Sequence, residues 1–238
     1  MLEASLLAWH REHRADLPWR SRRDPYRVMV SEVMLQQTQV PRVAPRFEQW
    51  MERWPTVEAL AAAGLDDVIR AWQGLGYNRR AVNLHRAARI VAEHGWPAEL
   101  TVLPGVGRYT ADAIRRFALG ADVLPQDTNV LRILERTDAQ FGPQAAEALM
   151  DLGREICLAR IPRCDICPLA DGCPSRGRRY EPLRKQSRFE GSFRQRRAEA
   201  LRLVAAGETS GLDEAALTSL ARDGLVEVNG SLVRLPAR

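Results

Sequence analysis

The chain contains almost no lysine, because 34 of its 35 basic side chains are arginine and Lys185 is the single lysine. A mechanism in which a buried amine attacks the substrate therefore has one candidate, and it lies in a polar, arginine-rich stretch. Long apolar runs are missing as well, so no segment has the length of a membrane span. The first twenty residues have neither a long apolar core nor a small-residue cleavage site, so we expect a cytoplasmic protein rather than a secreted one.

Cysteine is also scarce, and all four cysteines fall within residues 157–173, CLARIPRCDICPLADGC. A disulfide framework would spread its cysteines along the chain, whereas a metal or cluster site gathers them. Four thiolates can hold a tetrahedral zinc ion or an iron–sulfur cluster. The spacing is C-x6-C-x2-C-x5-C, with a single CxxC knuckle, which favours a cluster over zinc. The candidate ligands are Cys157, Cys164, Cys167 and Cys173.

The composition is that of an ordinary globular protein with a basic surface. A chain of 238 residues with 45% hydrophobic side chains can bury the core of one large or two modest domains. The net charge of +5 and the pI near 9.4 suggest a polyanionic partner. Arg154, Arg160 and Arg163 surround the cysteine loop, so we favour a structural role or a role facing that partner for the loop.

Hydrophobic spacing predicts a mainly α-helical protein. Residues 1–155 place apolar side chains three or four apart, with turns at Gly and Pro pairs, as in a set of packed helices. Residues 156–175 form the cysteine loop, and residues 176–238 are predicted to be a basic connector followed by a small winged-like element. Alternation of period two occurs only near the C-terminus, around Asn229-Gly230, which predicts a β-hairpin.

The stretch LPGVGRYT, residues 103–110, predicts a tight turn that opens a helix. Gly105 and Gly107 permit a turn whose backbone N–H groups face outward, and Arg108 follows them. Such a turn can bind a phosphate without a side chain, although a GxG before a helix is more often a plain connection between helices.

Together, LPGVGRYTADAI, DTNVLRIL and the four-cysteine loop resemble the helix-hairpin-helix DNA glycosylase superfamily that carries a 4Fe–4S cluster, with endonuclease III among its members. The stretch SEVMLQQTQV, residues 31–40, resembles the adenine DNA glycosylase (MutY-type) branch. The resemblance covers about residues 1–175 and implies a two-lobed helical fold with the hairpin motif at about residues 98–116. It also implies a monomeric, nucleoid-associated bacterial enzyme that acts on double-stranded DNA with a mismatched or oxidised base pair.

The resemblance assigns roles to the residues that match the motifs. Glu32 matches the general acid that protonates adenine. Asp127 matches the carboxylate that supports the sugar cation, and Asn129 matches a partner that orients the catalytic groups. Tyr109 stands where relatives with strand-cutting activity have a Schiff-base lysine. The other matched residues are Gln37 and Tyr77, which would wedge into the duplex, Trp19 and Arg20 in the adenine pocket, Asp151 at the exocyclic amine, and Gly105, Gly107 and Arg108 at the DNA backbone.

The residue types fit this chemistry independently of the resemblance. Breaking an N-glycosidic bond requires one carboxylate that stays ionised near the sugar cation and one carboxyl group that delivers a proton. Glu32 lies on an apolar helix face, where burial is expected to raise its pKa, and Asp127 opens a helix that is expected to keep it ionised. The simpler structural interpretations are a solvated Glu32, a plain N-cap at Asp127 and a core position for Tyr77. With Tyr109 and a single lysine, we expect water to be the nucleophile.

Several departures leave alternative functions open. Adenine glycosylases usually carry a C-terminal domain of about a hundred residues or more, whereas about sixty residues follow Cys173 here. The segments before LMDLG and before LPGVG are also shortened, and Gln126 replaces an apolar residue. The alternatives are a thymine or uracil glycosylase of T:G mismatches or another endonuclease III relative, a weakly active or non-catalytic DNA-binding paralogue, and a structural zinc protein.

Overall fold

The structure is a computed structural model, and it describes residues 1–181, 188–230 and 232–237. The prediction of a mainly helical protein is confirmed, with a single two-stranded sheet in this part of the chain. The α-helices are α1 Leu2–His13, α2 Pro25–Leu35, α3 Val40–Arg53, α4 Val57–Ala61, α5 Leu65–Trp72, α6 Arg79–His94, α7 Arg108–Phe117, α8 Thr128–Thr137, α9 Ala146–Glu155, α10 Phe193–Ala205 and α11 Glu214–Arg222. The strands are β1 Glu227–Asn229 and β2 Leu232–Arg234.

The chain divides into two compact units, each built from two separate segments. The first unit comprises Met1–Val28 with Arg108–Lys185, and the second comprises Met29–Gly107 with Gln186–Arg238. Within the described residues, no helix combines the length and the apolar character that crossing a membrane requires.

In the first unit, α8 and α9 pack against each other and α1 lies against α9. Helix α8 places Val130 and Ile133 on one face, and both are fully buried in a core shared with Leu149 of α9 and Leu6 of α1. Gly153 lets α8 and α9 approach closely, because a Cβ at this position would lie 2.6 Å from the Cβ of Asn129. The two helices therefore fix the start of α8 relative to the cysteine loop that follows α9.

In the second unit, α6 is the central helix and packs against α4 and α5. Three tryptophans contribute to the core, with Trp50 edge-on to Trp54 and to Trp72 at centroid distances of 4.6 and 5.6 Å. The Thr56 hydroxyl accepts a hydrogen bond from Ala59 N and so caps α4.

The C-terminal segment of the second unit is a helix pair with a hairpin. The hairpin predicted at Asn229-Gly230 is present, with Val228 opposite Val233 and Asn229 opposite Leu232, so Asn229 ends the strand rather than lying in the turn. Gly230 adopts a φ of 61°, which favours glycine. Leu65 N donates to Ala237 O at 3.3 Å and ties the end of the described chain to α5.

Candidate active-site residues and DNA-facing loops

Asp127 is the N-cap of α8 and accepts three hydrogen bonds from the first turn of the helix. Oδ1 accepts from Val130 N at 2.7 Å and from Asn129 N at 2.9 Å, and Oδ2 accepts from Asn129 Nδ2 at 2.8 Å. The unpaired N–H groups at a helix start stabilise negative charge. The capping role is thus confirmed, whereas a role at the sugar stays a prediction. Gln126, the departure noted above, is exposed.

Asn129 is held in turn by Arg132, one helical turn further along α8. Arg132 Nη2 donates to Asn129 Oδ1 and to Gly153 O, both at 2.8 Å, and Nε donates to Cys157 O at 2.8 Å. Burial lowers the pKa of Arg132, and the neighbouring Cys157 offsets part of this shift. One side chain therefore connects the Asp127–Asn129 pair to the first cysteine of the loop.

The four cysteines line a single cavity together with apolar side chains, which are Ile133, Leu152, Ile156 and Leu169. None of the four forms a disulfide. Arg136 donates to Cys157 Sγ at 3.4 Å and to Leu158 O at 2.8 Å, and its guanidinium lies 3.8 Å from the ring centroid of Tyr180. Burial raises the pKa of Cys167 to about 11.

The donor set around this cavity suits an iron–sulfur cluster, because such clusters are held by four cysteine thiolates. Among the described residues, no three His, Cys, Asp or Glu side chains are grouped closely enough to hold a metal ion. Arg160 and Arg163 are exposed on the loop, whereas Arg154 is half-buried and pairs with Asp151 and Glu155.

Asp151 lies on the buried face of α9 and is only 1% exposed. Arg20 binds it in a bidentate manner, with Nη1 2.8 Å from Oδ2 and Nη2 3.0 Å from Oδ1. His10 Nε2 lies 3.1 Å from Oδ2, Arg154 Nη2 lies 3.1 Å from Oδ1, and Ala15 N donates to Oδ2 at 3.4 Å.

Burial by itself raises the pKa of Asp151, but the hydrogen bond and charge of Arg20 and the charge of Arg154 outweigh it, so the pKa is lowered. The carboxylate is therefore ionised at neutral pH and lies within hydrogen-bond reach of several donors. Its predicted contact with the exocyclic amine of a base stays a prediction.

The remaining predicted residues of the first unit lie at the ends of short elements. Trp19 and Arg20 belong to a 3-10 helix, Pro18–Arg20, and Arg20 also donates to Ala15 O at 3.1 Å. Tyr109 lies in the first turn of α7 and is half-buried, next to the exposed Arg108. Lys185 lies outside the described residues.

Glu32 lies in α2 and is 8% exposed, between the buried Ser31 and Val33. The adjacent Val28 and Met29 are buried as well, as the apolar pattern predicted. The reading of Glu32 as a solvated surface glutamate is therefore wrong. Its role as a proton donor stays a prediction.

Gln37 and Tyr77 are both exposed, and Tyr77 retains 44% of its surface. The core position that Tyr77 would take without the family resemblance is therefore wrong. Both residues have positive φ, 58° for Gln37 and 47° for Tyr77, a conformation that side chains other than glycine rarely adopt. The two residues lie in the loops that follow α2 and α5.

The hairpin glycine Gly105 belongs to the same unit as these loops. Its φ is 80°, and a Cβ added there would lie 3.0 Å from the Cβ of Asn83, so both backbone conformation and space require glycine. Gln36 Nε2 donates to Gly105 O at 3.3 Å and connects the loop after α2 to this turn. Gly105 and Gly107 are both exposed, as a backbone contact with DNA requires.

Arg80 was not predicted to be functional, yet it makes the largest set of contacts near these loops. It is 8% exposed, near the start of α6, and donates to seven oxygen atoms. His10 and Arg132 were missed as well. Most of the partners of these residues are backbone carbonyls or, for His10, a side chain far away in sequence, which no local motif indicates.

Comparison with known proteins identifies the family. The model of the HhH-GPD superfamily base excision DNA repair protein matches residues 30–157. A protein of Mycolicibacterium smegmatis named adenine DNA glycosylase is 39% identical over 268 residues, which cover 93% of this chain and 91% of that protein. The human adenine DNA glycosylase is 37% identical over 228 residues, which cover 79% of this chain and 42% of the human protein.

Solved structures with the same fold include two DNA glycosylases. A thermostable thymine-DNA glycosylase superposes with a TM-score of 0.64 at 25% identity, over 72% of this chain and 93% of that one. Endonuclease III in a trapped covalent intermediate with DNA superposes with a TM-score of 0.62 at 21% identity, over 73% of this chain and 92% of that one. The chain therefore belongs to the HhH-GPD superfamily of base excision DNA repair proteins.

Proposed function

We propose that this protein is a monofunctional adenine DNA glycosylase of base excision repair, which hydrolyses the N-glycosidic bond of adenine mispaired with 8-oxoguanine or guanine. Relatives that carry this name in bacteria and mammals support the proposal. The match to the M. smegmatis protein spans 91% of its length. The same name therefore belongs to a protein with little sequence beyond the matched region.

The observation that carries the proposal is the contrast between two carboxyl groups. Glu32 is buried on α2, with 8% of its surface exposed, and burial in general disfavours the charged form of a carboxyl group. Asp127 accepts three N–H bonds at the start of a helix, where backbone donors and the helix dipole interact favourably with negative charge. An acid for the leaving adenine and an anion for the sugar cation are the two groups that this hydrolysis needs.

Water then completes the reaction as the nucleophile. Tyr109 takes the position of the Schiff-base lysine in relatives that cut the strand, so no amine is available there for β-elimination. Asn129 orients the Asp127 carboxylate through its own side-chain bond. In this proposal Trp19 and Arg20 line the adenine pocket, with Arg20 fixed by Asp151.

In this proposal, the protein binds the duplex through contacts to the DNA backbone and through two side chains inserted between the bases. Gln37 and Tyr77 fill the gap left by the extruded adenine, at an unstacking cost of a few kcal/mol. The N–H groups at Gly105 and Gly107, together with Arg108, bind phosphates and supply binding free energy that depends on salt. The proposed partner is thus double-stranded DNA with a mispaired or oxidised base, bound by a monomer.

We propose further that Cys157, Cys164, Cys167 and Cys173 hold a 4Fe–4S cluster, since all four line one cavity. When bound, such a cluster would cross-link four positions of the loop 157–173 to one another and so fix its shape. The exposed Arg160 and Arg163 then face the DNA backbone. Iron and acid-labile sulfide analysis of the purified protein, with zinc analysed in parallel, distinguishes the cluster from a structural zinc ion.

The test is an excision assay on duplexes with A:8-oxoguanine, A:G, T:G, U:G or thymine glycol pairs. Strand cleavage of the adenine strand only after alkali treatment is the expected result. Cleavage without alkali would contradict the monofunctional mechanism. Binding with no product from any duplex would favour a non-catalytic DNA-binding paralogue.

A second candidate function is the removal of thymine or uracil from mismatches with guanine. The structural similarity to a thermostable thymine-DNA glycosylase supports it, with a TM-score of 0.64. The motif at residues 31–40 favours the adenine reaction instead. Product from the T:G and U:G duplexes, with none from the adenine duplexes, would favour the thymine or uracil function over the adenine function.

A further inference from the structure

The two proposed wedge residues share a conformation that the chain must be forced to adopt. Gln37 and Tyr77 both lie in the left-handed region, and in the described chain Asp138 is the one other non-glycine residue there. Such a conformation is unfavourable for residues with a Cβ and persists only where surrounding contacts fix it. The question is therefore which contacts fix these two loops.

Arg80 provides such contacts to both loops. In the loop after α2, it donates to the oxygens that flank Gln37, at 2.6 Å from Gln36 O and 3.0 Å from Thr38 Oγ1. In the loop after α5, Nη2 donates to Leu75 O at 3.1 Å and to Gly76 O at 2.9 Å, and Nε donates to Tyr77 O at 3.3 Å.

The same guanidinium also closes the end of α2. Nη1 donates to Val33 O at 2.7 Å and to Met34 O at 2.9 Å, two of the carbonyls that a helix C-terminus leaves without a partner. A cation at this end of a helix also interacts favourably with the helix dipole. Glu32, the proposed acid, lies on this helix directly before these carbonyls.

We propose that Arg80 is a positioning residue, which holds Gln37 and Tyr77 in their left-handed conformation so that the two exposed side chains enter the duplex as one preformed wedge. The inference deepens the proposed function and rests on it. The geometry that carries it is one buried side chain bonded to both loops, at the residues adjacent to each wedge position.

Only arginine can make this set of contacts. Its planar guanidinium presents five N–H donors in a fixed arrangement, whereas lysine offers three donors on a single nitrogen. Burial lowers the pKa of Arg80 to about 10, so the side chain remains charged at neutral pH. The guanidinium also lies 5.2 Å from the Trp72 ring centroid and 5.7 Å from that of Tyr77.

The test compares Arg80→Lys with Arg79→Lys, an adjacent exposed arginine that pairs with Asp223 at 3.6 Å. Extrusion is followed by the fluorescence of 2-aminopurine, placed in the duplex where the target adenine would lie, because the analogue brightens when it leaves the stack. We expect Arg80→Lys to slow extrusion about 10- to 100-fold, since several bonds to a charged donor are lost. Arg79→Lys should match the wild type.

A double-mutant comparison separates positioning from a general structural effect. In a background with Gln37→Ala and Tyr77→Ala, Arg80→Lys should have almost no further effect on extrusion, because the wedge is already absent. An equal slowing in both backgrounds, or no slowing in a folded Arg80→Lys protein, would overturn the inference. If Arg80→Lys does not fold, Thr38→Val provides a milder variant, because it removes one acceptor of Arg80 and the Thr38–Leu75 bond.

Failure of the proposed function would be visible separately. The fluorescence reports extrusion whether or not the base is removed, so a wild-type protein that excises no base overturns the proposed function alone. A wild-type protein that binds the duplex without any change in fluorescence overturns the wedge, and with it the role of Arg80.

Discussion

The first unit presents two aspartates on adjacent helices, and their surroundings are opposite in character. Asp127, at the start of α8, receives its hydrogen bonds from neutral backbone and amide N–H groups. Asp151, on α9, is bonded to the guanidinium of Arg20, lies beside that of Arg154 and contacts His10. Within the described part of the chain, no cation is bonded directly to Asp127, although the charge of Arg132 acts on it from behind Asn129, whereas Asp151 is bonded directly to its own cations.

This difference shows how the same side chain can serve chemistry or architecture. A carboxylate that stabilises a transient cation must keep its charge available, and neutral donors allow that. When a carboxylate holds an arginine in place, the arginine compensates its negative charge, as in the bidentate pair of Asp151 with Arg20. The comparison predicts that substitution of Asp127 mainly affects catalysis and that substitution of Asp151 mainly affects stability.

The largest expected effect is the loss of catalysis in Asp127→Asn. Asparagine is as good an N-cap as aspartate, so α8 should keep its start, while the negative charge near the sugar cation is lost. We expect single-turnover excision to fall by about a thousandfold or more. The melting temperature measured in parallel should change little.

The chain offers a matched control for this substitution. Asp213 caps α11, with Oδ1 accepting from Ala216 N at 2.8 Å, and it also pairs with the exposed Arg196 at 2.9 Å. Asp213→Asn should therefore leave excision unchanged. An equal loss of activity in both variants would mean that the effect does not come from the position of the charge at Asp127.

Asp151→Asn should act on stability instead. The substitution leaves Arg20 and Arg154 without their buried counter-charge, and breaking such a pair typically costs about 3–5 kcal/mol. Urea unfolding should show this decrease in the free energy of unfolding. Glu199→Gln is the control, because Glu199 pairs with the exposed Arg202 at the surface and its substitution should leave the free energy of unfolding almost unchanged. A similar decrease in both variants would show that Asp151 contributes no more to stability than a surface ion pair does.

Local signals in the sequence predicted several parts of the site and the fold. The Asp-Thr-Asn motif identified the cap at Asp127, the apolar spacing around Glu32 predicted its burial, and Asn229-Gly230 predicted the hairpin. Each signal lies within a few residues of the feature that it predicts. Features of this kind can be predicted because the interactions that produce them are local.

The contacts of Arg80 could not be predicted in the same way. It lies 47 residues from Val33 and binds mainly backbone carbonyls, which carry no sequence information. Tyr77 illustrates the same limit, because neither its positive φ nor its exposure is indicated by the residues around it. The features of the site that could not be predicted thus depend mainly on backbone conformation and on hydrogen-bond acceptors far away in sequence.

Gly153→Ala tests whether the approach of α9 to α8 keeps Asp127 oriented. The new Cβ would lie 2.6 Å from the Cβ of Asn129, so α8 and α9 must move apart at this contact, and we expect the bond of Asn129 to Asp127 to lengthen. We expect a loss of excision of about tenfold and a destabilisation of about 1–3 kcal/mol. Unchanged excision in a destabilised protein would show that Asn129 is not needed to orient the carboxylate.

The smallest expected effect is a pH dependence that belongs to Asp151. Because Arg20 and Arg154 lower its pKa below the ordinary value, the unfolded chain binds the proton more readily than the folded one. The stabilisation from this group is therefore fully present above the unfolded pKa and is lost as the pH falls through the lowered folded pKa. Between about pH 5 and pH 3, the wild type should lose more free energy of unfolding than Asp151→Asn does. Parallel curves for the two proteins would show that the cations around Asp151 do not perturb its titration.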